Sequence, residues 1–244
     1  MTVYDHNIEI IKTYRQDLYE GIRAVSQQGL SDHEQILVGD AYNGEKFLAI
    51  MRGDDITALN STYHPSYEAS RYELQFHNNL PSNSTVLLFG LGNGKVVEDI
   101  ITEIPLIRTC IVYEPSVQIF MKALEEYDLR SILGSMKLMI FVEGINSREF
   151  EHFLEEVIDY ESWRHFYLYA LPMYPALYPA LYQSVNEVYY KIQNHKRMEL
   201  NTLLKHAKSS MSNVITAMKW MIDSRVYSSM KDRIPTDIPC IIVA

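Results

Sequence analysis

One stretch of this sequence, residues 84–116, constrains the fold more than any other. An apolar run up to Phe89 has the length of one buried strand, and three glycines at alternate positions follow directly. Apolar residues at helical spacing come next and stop at Pro105, because proline lacks the backbone N–H that a helix uses. A second apolar run, Cys110 to Tyr113, ends on a single acid, Glu114. This order predicts a strand, a glycine turn, a helix and a second, parallel strand.

The predicted glycine turn allows close contact with a ligand. Glycine has no Cβ and accepts a positive φ, so the backbone can approach a ligand while the next helix presents free N–H groups. An acid at the tip of the second strand can accept hydrogen bonds from the hydroxyl pair of a ribose. We therefore predict a ligand-binding crevice outside the carboxyl ends of the strands. The candidate cofactor-binding residues are Gly90, Gly92, Asn93, Gly94 and Glu114.

The spacing of the three glycines distinguishes between cofactors. It reads G-x-G-x-G and not the G-x-G-x-x-G of dinucleotide sites, and it resembles the first motif of S-adenosylmethionine-dependent methyltransferases. In that alternative the glycines frame the methionine end of S-adenosylmethionine and Glu114 holds the ribose. Phe89 counts against it, because many such enzymes carry an acid just before the first glycine. A further alternative is that the glycines only make a tight turn between strand and helix.

The periodicity of the whole chain predicts an α/β fold with a Rossmann-like, mainly parallel sheet flanked by helices. An N-terminal helix from Tyr4 to Val25 and a small antiparallel meander precede this sheet, and a helical extension follows it. The meander strands are predicted at Gln35–Gly39, Lys46–Met51 and Ile56–Asn60, and the later strands of the parallel sheet at Lys137–Val142 and His165–Ala170. The expected domains are residues 1–80 (helix and meander), 81–171 (Rossmann-like), 172–236 (helical extension) and 237–244 (first strand of a following domain).

The helical extension has two unusual features. Tyrosines cluster around three prolines at the junction between the last strand and the extension: Tyr167, Tyr169, Tyr174, Tyr178 and Tyr182. Tyrosine suits a sugar or base ring and also a wet interface between domains, and we favour the interface. From Ala180 to about Lys231 the pattern is helical, with an apolar stripe of the kind that is usually buried. The stripe consists of Leu200, Leu203, Leu204, Ala207, Met211, Val214, Ile215, Met218 and Ile222.

Composition and charge exclude several classes of function. A formal net charge of −9 argues against nucleic-acid binding and against adsorption to anionic membranes. No apolar run approaches transmembrane length and residues 1–14 lack the core of a signal peptide, so we expect no membrane insertion and a cytoplasmic location. The histidines and the two cysteines show no metal-ligand spacing, and no hydrolase or kinase motif identifies a catalytic residue.

The segment before the glycine strand, residues 61–71, carries a further signal. Pro65 suits the first turn of a helix, and this helix places Glu68 and Arg71 three residues apart. Side chains at this spacing can form an ion pair on the helix surface.

Several motifs together resemble the motility accessory factor family, enzymes implicated in the glycosylation of flagellin. The motifs are Gly44 followed by a strand, Ser61-x-Tyr63-x-Pro65-x-x-Glu68-Ala69, Phe89-Gly90-Leu-Gly92-Asn-Gly94, Glu114-Pro115, Asn201-Thr202 and Ile238-Pro239-Cys-Ile-Ile-Val243. The resemblance covers most of the chain from about residue 35 onward, and the second motif beside the triple glycine is its most specific part. The sequence departs from the family at Lys95-Val96, where many members carry Tyr-His.

The resemblance implies the N-terminal domain of an enzyme that transfers a nonulosonic acid from its CMP-linked donor to serine or threonine of flagellin. The donor would bind in a following catalytic domain, opened by a Gly-Pro-Ser-Leu turn and similar to 6-hydroxymethylpterin diphosphokinases and sialyltransferases. The implied partners are that domain and flagellin or another protein acceptor, so the present chain is expected to act as a scaffold and not to catalyse transfer alone. Residues 63–71 would then buttress the glycine strand. An S-adenosylmethionine-dependent methyltransferase and a non-catalytic interaction scaffold are the alternatives.

Overall fold

The computed structural model describes residues 1–28, 34–104 and 107–223. The chain divides into two compact units, Met1–Arg197 and Met198–Ala244. The helices are α1 (Val3–Tyr14), α2 (Gln16–Gln28), α3 (Pro65–Asn79), α4 (Lys95–Glu103), α5 (Val117–Glu126), α6 (Arg130–Leu133), α7 (Phe150–Val157), α8 (Tyr174–Leu177) and α9 (Pro179–Asp223). The strands are β1 (Gln35–Asp40), β2 (Lys46–Arg52), β3 (Asp55–Ala58), β4 (Thr85–Phe89), β5 (Thr109–Glu114), β6 (Leu138–Val142) and β7 (Phe166–Ala170).

A four-stranded parallel sheet forms the centre of the first unit, as predicted. Its strands lie in the order β6-β5-β4-β7, so the chain moves outward from β4 to one edge and then returns to the other side of β4. This is the order of the first four strands of a doubly wound sheet. Phe89, the last residue of β4, lies opposite Tyr113 of β5 and Ala170 of β7. Every side chain of β4 is buried, as expected of a central strand covered on both faces. The topological switch point, at which the strand order reverses, therefore lies at the carboxyl end of β4, directly before the glycines.

The predicted antiparallel meander is confirmed as a separate three-stranded sheet in the order β1-β2-β3. Ile50 of β2 lies opposite Ile36 on one side and Thr57 on the other. The connection through Gly53 is too short for a parallel crossover, so only the antiparallel arrangement is possible here.

The single N-terminal helix predicted from Tyr4 to Val25 is wrong, because α1 and α2 are separated at Arg15. The backbone of Arg15 leaves the helical region (φ −143°, ψ 64°). Its guanidinium donates to the carbonyl oxygens of Leu133 and Ser135, both at 2.8 Å, and so provides partners for carbonyl groups at the C-terminal end of α6. The apolar periodicity continues through the break, so the sequence pattern does not reveal the break.

Helix α1 is fixed to the parallel-sheet region by a buried asparagine. The Asn7 side-chain amide donates to the carbonyl oxygens of Leu124 and Tyr127, at 2.8 and 2.7 Å, and its oxygen accepts from the Leu129 N–H at 3.0 Å. Residues 1–171 therefore lie in one compact unit, and the domain boundaries stated above stay predictions.

The apolar stripe predicted to be buried in the late helix is exposed instead. Side chains of Leu203, Met211 and Val214 in the second unit are all more than half exposed. Helical periodicity identifies an apolar face but not the element that covers it. The predicted final strand, residues 237–244, lies outside the described residues. Of the helices in the described ranges, none combines the length and apolarity needed to cross a membrane.

Candidate functional site

The glycine turn lies where the sequence predicted it, between β4 and α4. Gly90, Gly92 and Gly94 all have positive φ, at 103°, 58° and 78°. The Gly90 N–H donates to the Tyr113 carbonyl oxygen at 2.8 Å, which continues the ladder between β4 and β5 by one residue. The turn therefore begins directly at the end of β4, where the strand order reverses.

Glu114 lies at the tip of β5 and is completely buried. Its carboxylate accepts the Leu91 N–H at 2.7 Å and the Ser116 N–H at 3.0 Å, so it holds the glycine turn against the start of α5. Burial raises the pKa of Glu114 to about 7, and the hydrogen bonds that it accepts oppose this shift. The Glu114 carboxylate therefore binds backbone N–H groups of the protein itself.

A tyrosine fills the space between the glycines and Glu114. Tyr174, the first residue of α8, is completely buried. Its hydroxyl accepts the Gly92 N–H at 2.9 Å and donates to the Glu114 carboxylate at 3.0 Å. A Cβ placed on Gly90 would lie 2.7 Å from the Tyr174 ring, so the absence of a side chain at Gly90 is what admits the ring. The hydroxyl occupies the position in which a ligand would meet both the turn and the acid.

A second layer of polar side chains holds the neighbouring tyrosine. The Tyr178 hydroxyl donates to the Glu34 carboxylate at 2.8 Å, and Ser116 Oγ donates to the same oxygen at 3.1 Å. Arg52 forms an ion pair with Glu34 and also lies 5.0 Å from the centre of the Tyr178 ring. Glu34, directly before β1, and Arg52, the last residue of β2, thus contact residues at the carboxyl end of the parallel sheet.

The other two predicted site residues, Asn93 and Gly94, line a separate groove of about 280 Å³ beside the start of α4. Asn93 Oδ1 accepts the Lys95 N–H at 3.1 Å and so caps the turn. The Lys95 ammonium in this groove is paired with Glu98 at 2.9 Å and with Asp99 at 3.5 Å. These side chains satisfy one another, and the groove offers no concentrated charge of one sign.

The structure therefore separates the five predicted residues into two groups. Gly90, Gly92 and Glu114 surround Tyr174, whereas Asn93 and Gly94 line the groove beside α4. A ligand at the first group would have to displace the Tyr174 ring, and cofactor binding by these residues stays a prediction. Within the described ranges, no three histidine, cysteine, aspartate or glutamate side chains come together as a possible metal site.

Sequence reasoning missed the residues that close the crevice. The tyrosine cluster favours a domain interface for Tyr174, whereas the position of this residue just after β7 places it beside the carboxyl end of β4. Glu34 and Arg52 gave no signal, because they are separated from Tyr178 by more than a hundred residues of sequence.

Asn60, which directly precedes the segment of residues 61–71, contacts the glycine turn. A Cβ on Gly92 would lie 3.0 Å from the side-chain amide of Asn60, and α3 packs against α4. The Glu68 carboxylate accepts the Ser61 N–H at 2.7 Å, and the predicted ion pair with Arg71 is not formed. A supporting role for residues 63–71 stays a prediction.

Comparison with known proteins finds similarity among solved structures. No protein-family model matches the chain, and no curated protein matches it either. A solved structure of a MAf glycosyltransferase from Magnetospirillum magneticum AMB-1 aligns with a TM-score of 0.48 and 12% sequence identity. The alignment covers 77% of this chain and 35% of that protein, so this chain matches about a third of that protein's length.

Proposed function

We propose that this chain is a Rossmann-like, non-catalytic domain of a motility accessory factor-like glycosyltransferase. Its role is to scaffold the catalytic domain and to position the acceptor protein. The chemistry proposed for the whole enzyme is transfer of a nonulosonic acid from a CMP-linked donor to serine or threonine of flagellin, with the donor held in a following domain. The resemblance in the Ser61–Ala69 and Phe89–Gly94 motifs supports the family part of this proposal.

The observation that supports the non-catalytic part is the position of Tyr174. The ring of this residue lies against Gly90, and its hydroxyl bonds to Gly92 and Glu114. These are the groups that an S-adenosylmethionine or nucleotide ligand would need. Because the hydroxyl satisfies a buried N–H and a buried carboxylate, displacing it requires a ligand that replaces both bonds.

The proposal is tested by comparing residues 1–244 with the product of the gene read past Ala244. Both proteins are incubated with flagellin and a CMP-linked nonulosonic acid, and the mass of flagellin is measured. We expect transfer by the longer protein and none by residues 1–244. Equal rates of transfer by the two proteins would contradict the proposal, as would a longer protein that lacks a catalytic domain.

A calorimetric titration with S-adenosylmethionine tests the methyltransferase alternative separately. With Tyr174 in place we expect no heat of binding at about 1 mM ligand, where a site with a useful affinity would be occupied. Saturable binding that Gly92→Ala abolishes would instead favour the methyltransferase. The matched control is Gly53→Ala, because Gly53 also has a positive φ but has no neighbouring atom within 4 Å of its Cβ position.

A further inference from the structure

A groove with a volume of about 450 Å³ runs between the loop of residues 61–64 and helix α3. This volume lies within the range of small-ligand pockets. Its lining includes Tyr63, Tyr67, Glu68 and Arg71 and therefore coincides with the Ser-Tyr-Pro-Glu-Ala motif. The supporting role described above uses only part of this motif, because these side chains face the groove and not the glycine turn.

Two exposed tyrosines line the same groove. Tyr63 is 73% exposed and Tyr67 is 62% exposed. A singly exposed ring is common on protein surfaces, whereas exposed rings that line one groove form a surface on which a ligand can pack. A phenol ring presents a flat apolar face and a polar tip, and such a face packs well against the C–H groups of a sugar ring.

Glu68 and Arg71 line the same groove but do not form an ion pair. One oxygen of Glu68, Oε2, is held by the Ser61 N–H at 2.7 Å, which fixes the carboxylate and leaves Oε1 to accept from a ligand. Arg71 forms no hydrogen bond or ion pair with the part of the chain that the structure describes. The groove thus offers a fixed acceptor and a forked set of donors.

The loop is organised before any ligand arrives. Ser61 Oγ accepts the N–H groups of Tyr63 and His64, both at 3.2 Å. The Nδ1 atom of His64 accepts the Tyr67 N–H at 3.2 Å, which caps the start of α3. Such preorganisation lowers the entropy lost on binding.

These features together indicate the chemistry of the ligand. A sugar ring carries neighbouring hydroxyls that each donate and accept, which suits a carboxylate beside a guanidinium, and it also has an apolar face for tyrosine. A small anion is disfavoured because Glu68 lies in the same groove as Arg71. A peptide would use an open strand edge or apolar side-chain pockets, and the groove is lined by a helix and a polar loop.

We propose that the groove between residues 61–64 and α3 binds a saccharide ring, with Tyr63 and Tyr67 packing against it and with Glu68 and Arg71 bonding to adjacent hydroxyls. The site is independent of the scaffold role, which assigns no ligand to this chain. The saccharide site would remain valid if the scaffold role were disproved, and the scaffold role would remain valid if no saccharide bound.

The test uses saturation-transfer NMR with three probes: methyl α-mannopyranoside, methyl β-N-acetylglucosaminide and N-acetylneuraminic acid. Each is titrated to about 10 mM, which is tenfold above a Kd of about 1 mM. A serine- and threonine-rich peptide is titrated in parallel. The variants are Arg71→Gln and Tyr67→Ser. Matched controls are Arg148→Gln and Tyr14→Ser, because Arg148 is also exposed and Tyr14, at 65% exposure, lies outside the groove.

We expect at least one saccharide to bind and each groove variant to weaken it about tenfold or more, since each loses a charge-assisted bond or a stacking face. The controls should bind as the wild type does, and all four variants should keep its melting temperature. The proposal is overturned if none of the three saccharides binds, or if the groove variants bind them as tightly as the controls do. Binding of the peptide alone, lost in the groove variants, would also overturn it and assign the groove to a polypeptide.

Discussion

Replacing Tyr174 with phenylalanine removes one hydroxyl and leaves the ring that fills the glycine crevice. The hydroxyl accepts the Gly92 N–H at 2.9 Å and donates to Glu114 at 3.0 Å. Tyr174 and Glu114 are completely buried, so water cannot replace either bond without a change in the surrounding packing. The change in the free energy of unfolding therefore measures how much the Tyr174 hydroxyl contributes to stability in the crevice.

The expected loss of stability follows from these two bonds. Leaving the Gly92 N–H unsatisfied in the interior costs about 1–3 kcal/mol, and a hydrogen bond to a charged group contributes about 1.5–3 kcal/mol. Because the ring stays and some relaxation is possible, we expect a total of about 3 kcal/mol in the free energy of unfolding. The loss should be larger at about pH 8, where Glu114 is above its pKa of about 7 and ionised, than at about pH 5.

Urea unfolding followed by far-UV circular dichroism provides the measurement. With an m-value of about 3 kcal/mol/M, the midpoint of Tyr174→Phe should fall by about 1 M relative to wild type. Tyr190→Phe is the matched control, because Tyr190 is 60% exposed. A surface change of this kind should alter the free energy of unfolding by no more than about 0.5 kcal/mol.

A Tyr174→Phe midpoint equal to that of Tyr190→Phe would refute the reasoning. It would mean that the hydroxyl is not engaged with Gly92 and Glu114 in solution and that the crevice is accessible. A lower midpoint with an unchanged m-value would show lost stability without a change in the surface exposed on unfolding.

Two further predictions concern the same crevice. The pKa of Glu114 is raised in the folded state from 4.5 to about 7, so its contribution to stability is fully present below about pH 4.5 and is lost as pH rises through about 7. Glu114→Gln should therefore remove up to about 3 kcal/mol of the fall in stability between about pH 5 and pH 8, measured by urea unfolding, and an unchanged pH dependence would contradict the assignment. Gly90→Ala places a Cβ 2.7 Å from the Tyr174 ring at a φ of 103° and should destabilise by about 3 kcal/mol or more. Gly53→Ala, which has a positive φ but open space around it, should cost only about 1 kcal/mol, and equal losses by thermal melting would argue against close packing at Gly90.

Much of the fold could be predicted because its signals are local. The run before Gly90, the three glycines and the acid at position 114 specify a strand, a turn and a second strand within thirty residues. The break in the helix at Arg15 was not predictable from the sequence. The Arg15 side chain bonds there with carbonyl groups that are more than a hundred residues away. The prediction that the stripe containing Leu203 and Met211 is buried was wrong for a related reason. A pattern of apolar residues does not identify the surface that will cover it.

The sequence by itself determined that a glycine turn and an acid would meet at the end of a parallel sheet. This follows from strand and helix periodicity and from the backbone freedom that only glycine has. The tertiary structure alone decided that Tyr174 would stand between them, because pairing of β7 with β4 brings together residues that are 60 positions apart or more. Which side chain fills a crevice depends on such long-range pairing, and no local pattern records it.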